Sequence, residues 1–228
     1  MLKFLNILTN MKNKETALQT ILDQKIVPLF YHDDPQVSLD VTKTLYKAGI
    51  RAVEYTNRGP LSLENFKRLK EAAETNMPEL QLGAGTIKSW KDARVFLREG
   101  ADFIVSPVVK MEIKNAAQIA DRLWIPGCLT PTEIDTASRS GANLIKIFPA
   151  PSPDYISALK PVFPDTLFMP TGGVELRREN LDTWFNKGAS AVGIGSSWVS
   201  QEILTNKQYE VLFRKTKKAL EIVKLLNG

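Results

Sequence analysis

Lys146 stands inside an almost uninterrupted apolar run, Asn143-Leu144-Ile145-Lys146-Ile147-Phe148-Pro149. Read as a strand, this segment puts Lys146 on one face with Leu144 and Phe148, because successive side chains alternate. Apolar surroundings disfavour the charged form of an amine. A neutral amine can attack a carbonyl carbon, whereas an ammonium has no lone pair to offer. The competing structural explanation is a lysine that snorkels to solvent or pairs with a core carboxylate. Buried lysine is rare enough that the nucleophilic reading is the better one.

A second polar interruption lies in Ala52-Val53-Glu54-Tyr55-Thr56-Asn57-Arg58. Glu54, Thr56 and Arg58 share a face if the strand persists. A carboxylate and a guanidinium on an inward face are costly unless used or paired. A Glu54–Arg58 ion pair with a purely structural role explains this segment about as well as a proton-transfer and anion-binding pair does. Smaller signals lie at the ends of other apolar runs. Gly83-Ala84-Gly85-Thr86 and Ser106-Pro107 let a ligand approach the backbone, and Thr86 can donate a hydrogen bond to a carboxylate. A tight turn explains each of these equally well.

The elements that must hold these residues alternate along the chain. Strand-like runs occupy 26–31, 52–56, 80–84, 103–106, 124–126, 143–148, 167–170 and 191–194. Helix-like runs occupy 36–47, 62–75, 90–98, 113–122, 131–138, 153–159, 178–185 and 209–226. Eight strands, each followed by a helix, spell an α/β fold of the (β/α)8 TIM-barrel type, although the fifth strand looks short. Gly49, Gly100, Gly141 and Gly188 fall where helices end and are expected to adopt the left-handed conformation that stops them. In such a barrel the active site lies at the C-terminal rim of the strands, where Lys146, Glu54, Arg58, Thr86 and Pro107 all fall. Strand seven ends in Thr171-Gly172-Gly173 and strand eight in Gly193-Ile194-Gly195-Ser196-Ser197. Phosphate sites in barrels commonly form from these two loops, with backbone N–H groups and hydroxyls as donors.

Composition excludes several other functions. With 30 basic and 25 acidic residues the net charge is +5, and no nucleic-acid motif accompanies it. The dense basic run at Arg214, Lys215, Lys217 and Lys218 has the spacing of a solvated helix face. The lone Cys128 rules out an internal disulfide and points to the cytoplasm; we read it as a small buried residue at a strand end. One histidine, His32, argues against Ser-His-Asp chemistry and a histidine-rich metal centre. No apolar stretch approaches the ~20 residues of a membrane span, so no membrane partner is expected. Residues 1–24 read as an extension and a helix, with 14–24 closing the barrel bottom and Met11 an alternative start. Residues 25–228 read as a single barrel domain, a size such barrels reach.

Taken together, these motifs resemble the KDPG/KHG aldolase family, class I aldolases acting on 2-keto-3-deoxy-6-phosphogluconate and 4-hydroxy-2-oxoglutarate. The resemblance runs from about Lys25 to Trp198. It rests on the segments 53–58, 83–86 and 106–107, on Ile125-Pro126-Gly127 and Pro131-Thr132-Glu133, and on 146–150, 170–173 and 195–198. It implies that Lys146 forms the Schiff base and Glu54 is the general acid/base. Arg58 and Thr86 would hold the pyruvate carboxylate, and Pro107 and Phe148 would line the pocket. Thr171, Gly172, Gly173, Gly195, Ser196 and Ser197 would receive the distal, phosphorylated end. It further implies a homotrimer, with no metal and no cofactor. Two positions depart from the family pattern. Val108-Val109 follow Pro107 where many relatives have glycine, and Ser196 replaces a glycine, which leaves the exact substrate open.

The expected reaction is cleavage of 2-keto-3-deoxy-6-phosphogluconate to pyruvate and glyceraldehyde 3-phosphate, and of 4-hydroxy-2-oxoglutarate to pyruvate and glyoxylate. The alternatives are a 2-keto-3-deoxy-6-phosphogalactonate aldolase, a phosphosugar isomerase or epimerase on a similar barrel, and a non-catalytic anion-binding barrel. Only the first of these shares the lysine adduct, so a mass shift with pyruvate separates the rest.

Overall fold

A computed structural model describes residues 13–226. The expected extension before Met11 lies outside the described residues. Helix α1 (Lys14–Gln24) comes first, followed by β1 (Ile26–Phe30), α2 (Pro35–Ala48), β2 (Ala52–Thr56), α3 (Ser62–Asn76), β3 (Gln81–Gly85), α4 (Trp90–Arg98) and β4 (Phe103–Ser106). The second half runs α5 (Met111–Ile119), β5 (Leu123–Cys128), α6 (Pro131–Arg139), β6 (Leu144–Ile147), α7 (Pro153–Leu159), β7 (Leu167–Pro170), α8 (Arg178–Asn186), β8 (Val192–Ile194), α9 (Gln201–Thr205) and α10 (Tyr209–Leu225). All strand pairs are parallel, in the order β7-β6-β5-β4-β3-β2-β1-β8. A single bridge between Thr171 and Gly193 joins the two outer strands and closes the ring. The expected (β/α)8 barrel is therefore the fold.

The strand interior divides as the two-residue period demands. Val27, Ala52, Phe103, Val105, Leu123, Ile125, Leu144 and Met169 form an inner cluster, while the alternate positions pack under the helices. Ala17 and Ile21 of α1 join the inner cluster. Gln24, at the end of that helix, donates from Nε2 to the carbonyls of Ile26 (2.6 Å) and Ala52 (2.9 Å). Its Oε1 accepts from the N–H groups of Arg51 and Ala52. Helix α1 thus closes the bottom, satisfying strand ends that would otherwise be buried unpaired. Its own start is fixed by a reciprocal cap between Asn13 and Thr16, a device worth about 1 kcal/mol.

Several boundaries differ from expectation. The fifth strand is six residues long and runs through Pro126 and Gly127, since proline removes only one donor from the ladder. The shortest strand is β8, with three residues. Helix α5 ends at Ile119 because Asp121 turns to a φ of 50° before Arg122. Helix α9 has no counterpart among the expected helices; five residues are too few to show a period. The four corner glycines do have positive φ, at 115°, 84°, 87° and 101° for Gly49, Gly100, Gly141 and Gly188.

One buried ion pair lies away from the strand C-termini. Lys70 of α3 donates to both oxygens of Asp102, at 2.9 and 2.8 Å, and Asp102 also accepts the Leu82 N–H. Its role is structural, tying α3 to the start of β4.

Candidate active site

Lys146 on β6 and Glu54 on β2 point inward from opposite walls of the barrel and meet. The Nζ of Lys146 lies 3.3 and 3.4 Å from the two carboxylate oxygens of Glu54. Lys146 is 7% exposed and Glu54 1% exposed, so both groups are almost wholly removed from solvent. The barrel wall is shaped to admit the carboxylate. A Cβ on Gly85, which faces Glu54 from β3, would stand 2.0 Å from Glu54 Oε1. Only glycine leaves that space open. The ring of Phe148 lies 5.4 Å from Lys146 Nζ, on the face that parity assigns to it. The structural alternative of a Glu54–Arg58 pair is not what forms, because the partner of Glu54 is Lys146.

Lys146 opens onto a cavity of about 490 Å³ at the C-terminal ends of the strands. Arg58, Thr86 and Pro107 line it from the loops after β2, β3 and β4, and Phe148 from the end of β6. Strand β2 stops at Thr56, so Arg58 reaches the cavity from the loop and not as part of a continued strand. Thr86 holds a φ of 59°, a strained conformation for a β-branched residue and of the kind that clusters at functional sites. Glu54 lies behind Lys146 and does not itself line the cavity.

Thr171, Gly172, Gly173, Gly195, Ser196 and Ser197 line the remaining wall, from the loops after β7 and β8. Gly172 and Gly173 have φ of 97° and 68°. The N–H groups of Gly173, Ser196 and Ser197 have no hydrogen-bond partner among the described residues. Successive free N–H groups in such turns form an anion-binding concavity. The two loops are tied together, since Ser197 Oγ donates to the Val174 carbonyl at 3.0 Å. Every residue expected at the site except Glu54 therefore lines one cavity, and Glu54 meets Lys146 behind its wall.

Sequence reasoning missed Leu29, Val105, Val174, Gly193 and Glu175, which also line it. Leu29 and Val105 are inward strand residues that look like ordinary core in the sequence. Glu175 was the findable one, a charge directly after a Gly-Gly turn and its valine; its carboxylate sits 2.6 Å from Arg177 Nε. Glu133, part of a motif that carried the family resemblance, caps α6 instead. Backbone N–H groups of Thr130 and Leu129 hold its carboxyl below the ordinary range. Cys128 is buried at the end of β5, and burial pushes its thiol up to about 12, which leaves it unreactive. A second hollow, about 570 Å³ between α1, α2 and α10 at the barrel bottom, contains none of these residues. Among the described residues no helix is long and apolar enough to cross a membrane.

Comparison with known proteins agrees with this geometry. The model of the KDPG and KHG aldolase family matches residues 18–215. The 2-dehydro-3-deoxy-phosphogluconate aldolase of Pseudomonas aeruginosa is 28% identical over 217 residues, covering 93% of this chain and 96% of that protein. The 2-dehydro-3-deoxy-6-phosphogalactonate aldolase of Escherichia coli is 33% identical over 165 residues, covering 71% and 78%. Among solved structures, the 4-hydroxy-2-oxoglutarate aldolase/2-deydro-3-deoxyphosphogluconate aldolase from TTHB1 superposes with a TM-score of 0.77 at 31% identity, covering 90% of this chain and 98% of that one.

Proposed function

The chain belongs to the KDPG and KHG aldolase family, and from that premise we propose that it is a class I aldolase cleaving 2-keto-3-deoxy-6-phosphogluconate to pyruvate and glyceraldehyde 3-phosphate. In the same reading it also cleaves 4-hydroxy-2-oxoglutarate to pyruvate and glyoxylate. The observation that carries this is the buried amine of Lys146, 3.3 Å from the Glu54 carboxylate and open to a cavity whose far end is lined by the glycine-rich loops after β7 and β8.

The steps follow from these positions. Lys146 Nζ adds to the C2 carbonyl, and Glu54 moves the protons that turn the carbinolamine into an iminium and water. Glu54 then takes the proton of the C4 hydroxyl, directly or through a water, as the C3–C4 bond breaks. The aldehyde leaves, and the bonding pair moves into C2=C3 as the iminium pair returns to nitrogen, so that the iminium becomes an enamine. Return of that proton from Glu54 to C3 regenerates the iminium, and attack of water on C2 releases pyruvate and restores Lys146. Arg58 can grip the substrate carboxylate through two parallel N–H bonds, assisted by the Thr86 hydroxyl, and so hold C2 near the amine. Pro107 and Phe148 flank the reacting carbons. The free N–H groups of Gly173, Ser196 and Ser197, with the walls of Thr171, Gly172 and Gly195, suit the distal phosphate.

Borohydride reduction in the presence of pyruvate tests the reading. A stable adduct on the wild-type chain, absent from Lys146→Ala together with turnover, is expected; trapping that survives the substitution ends the proposal. The 33% identity to a phosphogalactonate aldolase makes the C4 epimer the necessary second substrate in the assay. The same proposal takes residues 25–228 as one barrel domain, working in the cytoplasm as a homotrimer. Family resemblance supports the trimer, and sedimentation equilibrium measures it.

A further inference from the structure

The loop after β8 is held from behind by α10. Lys215 Nζ donates to the carbonyls of Ser197 (2.7 Å) and Trp198 (3.3 Å). One residue on, Thr216 Oγ1 accepts from the indole N–H of Trp198 at 3.1 Å, and that indole is fully buried. The same two peptide groups use their other ends at the front of the turn. The N–H groups of Trp198 and Val199 both donate to the Gly195 carbonyl, at 2.9 and 3.0 Å. The carbonyls at 197 and 198 are thus drawn backwards to an ammonium while the N–H groups close on Gly195. This leaves the first two N–H groups of the turn, those of Ser196 and Ser197, with no protein acceptor among the described residues, in a pair of residues that line the cavity.

The charge matters as well as the hydrogen bonds. Like most lysines among the described residues, Lys215 has no carboxylate within ion-pair distance; what sets it apart is that its ammonium is partly buried against the carbonyls of the β8 loop. Partial burial already lowers its pKa. An amine that gives up water for two carbonyls and no counter-ion leaves its positive charge uncompensated behind the one loop where an anion is expected. Glu175, which lines the cavity, is paired with Arg177.

We propose that Lys215 is the positioning residue of the distal anion site: it fixes the peptides of the β8 loop from behind and supplies the positive field that favours a terminal phosphate over a neutral end. This deepens the aldolase reading and rests on it for the identity of the substrate. It explains how a chain can bind a phosphate group on N–H groups and hydroxyls without a cation among the residues lining that end of the cavity.

The test compares wild type, Lys215→Met and Lys215→Arg by three measurements. They are cleavage of 2-keto-3-deoxy-6-phosphogluconate and of 4-hydroxy-2-oxoglutarate, borohydride trapping of pyruvate, and the rise in melting temperature caused by inorganic phosphate. Lys215→Met is expected to raise KM for the phosphorylated substrate about tenfold while changing the unphosphorylated reaction by no more than about twofold. It should also lose most of the phosphate-induced rise in melting temperature, with Lys215→Arg recovering the greater part of both. Should the methionine variant not fold, Lys215→Gln, which keeps a donor and drops the charge, is read in the same way. Equal losses on both substrates, or an unchanged phosphate response in a variant that still traps pyruvate, overturn the proposal. A wild type that traps pyruvate yet gains nothing from phosphate overturns it too and leaves the aldolase reading intact. A phosphate response that depends on Lys215 in a chain that never traps pyruvate does the reverse.

Discussion

Lys146 Nζ and Glu54 Oε2 lie 3.3 Å apart across the barrel, although 92 positions separate the two residues in the chain. Each is the other's only charged neighbour within ion-pair distance among the described residues. Removing the amine therefore affects stability as well as chemistry. Lys146→Met is expected to abolish turnover and pyruvate trapping. It should also destabilise the fold by about 3–5 kcal/mol, because Glu54 is left buried without a partner. Adding Glu54→Gln should recover part of that loss, since the stranded charge disappears. Urea titration of the two single variants and the double variant measures it; strictly additive losses would contradict the pairing.

The Glu54 carboxylate depends on the absence of a side chain at Gly85. Glu54→Gln should lower kcat by about 10²–10⁴, the usual range for a missing proton-transfer group, while a slow pyruvate adduct still forms. Gly85→Ala should imitate it, because the new methyl occupies the carboxylate's place. An alanine variant with unimpaired kcat would mean that Glu54 has another productive position. Stopped-flow measurement of adduct formation separates slow chemistry from misfolding.

The two ends of the cavity should fail differently. Arg58→Gln removes the group proposed to hold the carboxylate common to every substrate, so kcat/KM should fall by a similar factor with and without phosphate. Ser197→Ala breaks the hydrogen bond to Val174 and deletes a hydroxyl at the distal end. It should harm only the phosphorylated substrate, by about 5- to 30-fold for a loss of 1–2 kcal/mol. Steady-state kinetics on both substrates decides the matter, and a uniform effect of Ser197→Ala would count against a distal phosphate.

Alkaline pH should weaken the fold through Cys128. Burial raises this thiol from 9.0 to about 12. Between those values the unfolded chain releases a proton that the folded chain keeps, so stability falls as pH rises through the window. Tyr31, raised to about 12 chiefly by burial, acts in the same direction at higher pH. Cys128→Ala should reduce the stability lost between pH 9 and 10 by on the order of 1 kcal/mol. Guanidinium titrations at the two pH values read the difference, and an unchanged slope would assign the loss to other groups.

The site was legible because its residues violate the pattern around them. A lysine in Leu144-Ile145-Lys146-Ile147 and a glutamate in Val53-Glu54-Tyr55 are costly in a barrel wall, so they announce themselves. The helix stops at Gly49, Gly100, Gly141 and Gly188 were legible for a similar reason, since a left-handed turn favours one residue type. Leu29 and Val105 were not, because a cavity wall and a core position make the same demand on an inward-facing side chain. The extent of β5 was misjudged because Pro126 looks like a stop, whereas its neighbours β4 and β6 supply the pairing that carries the strand to Cys128. The partnership of Lys146 with Glu54 in place of Arg58 depends on barrel closure, which no local spacing records.

The ring of strands has a seam. β2 and β3 share five paired positions, but β7 and β8 are joined by the single Thr171–Gly193 bridge. The two loops proposed to receive the distal phosphate rise from the two lips of that seam. A phosphate seated there would act as a clasp, fastening the barrel at its least stitched junction, so that the substrate's tail would stiffen the wall against which its head reacts.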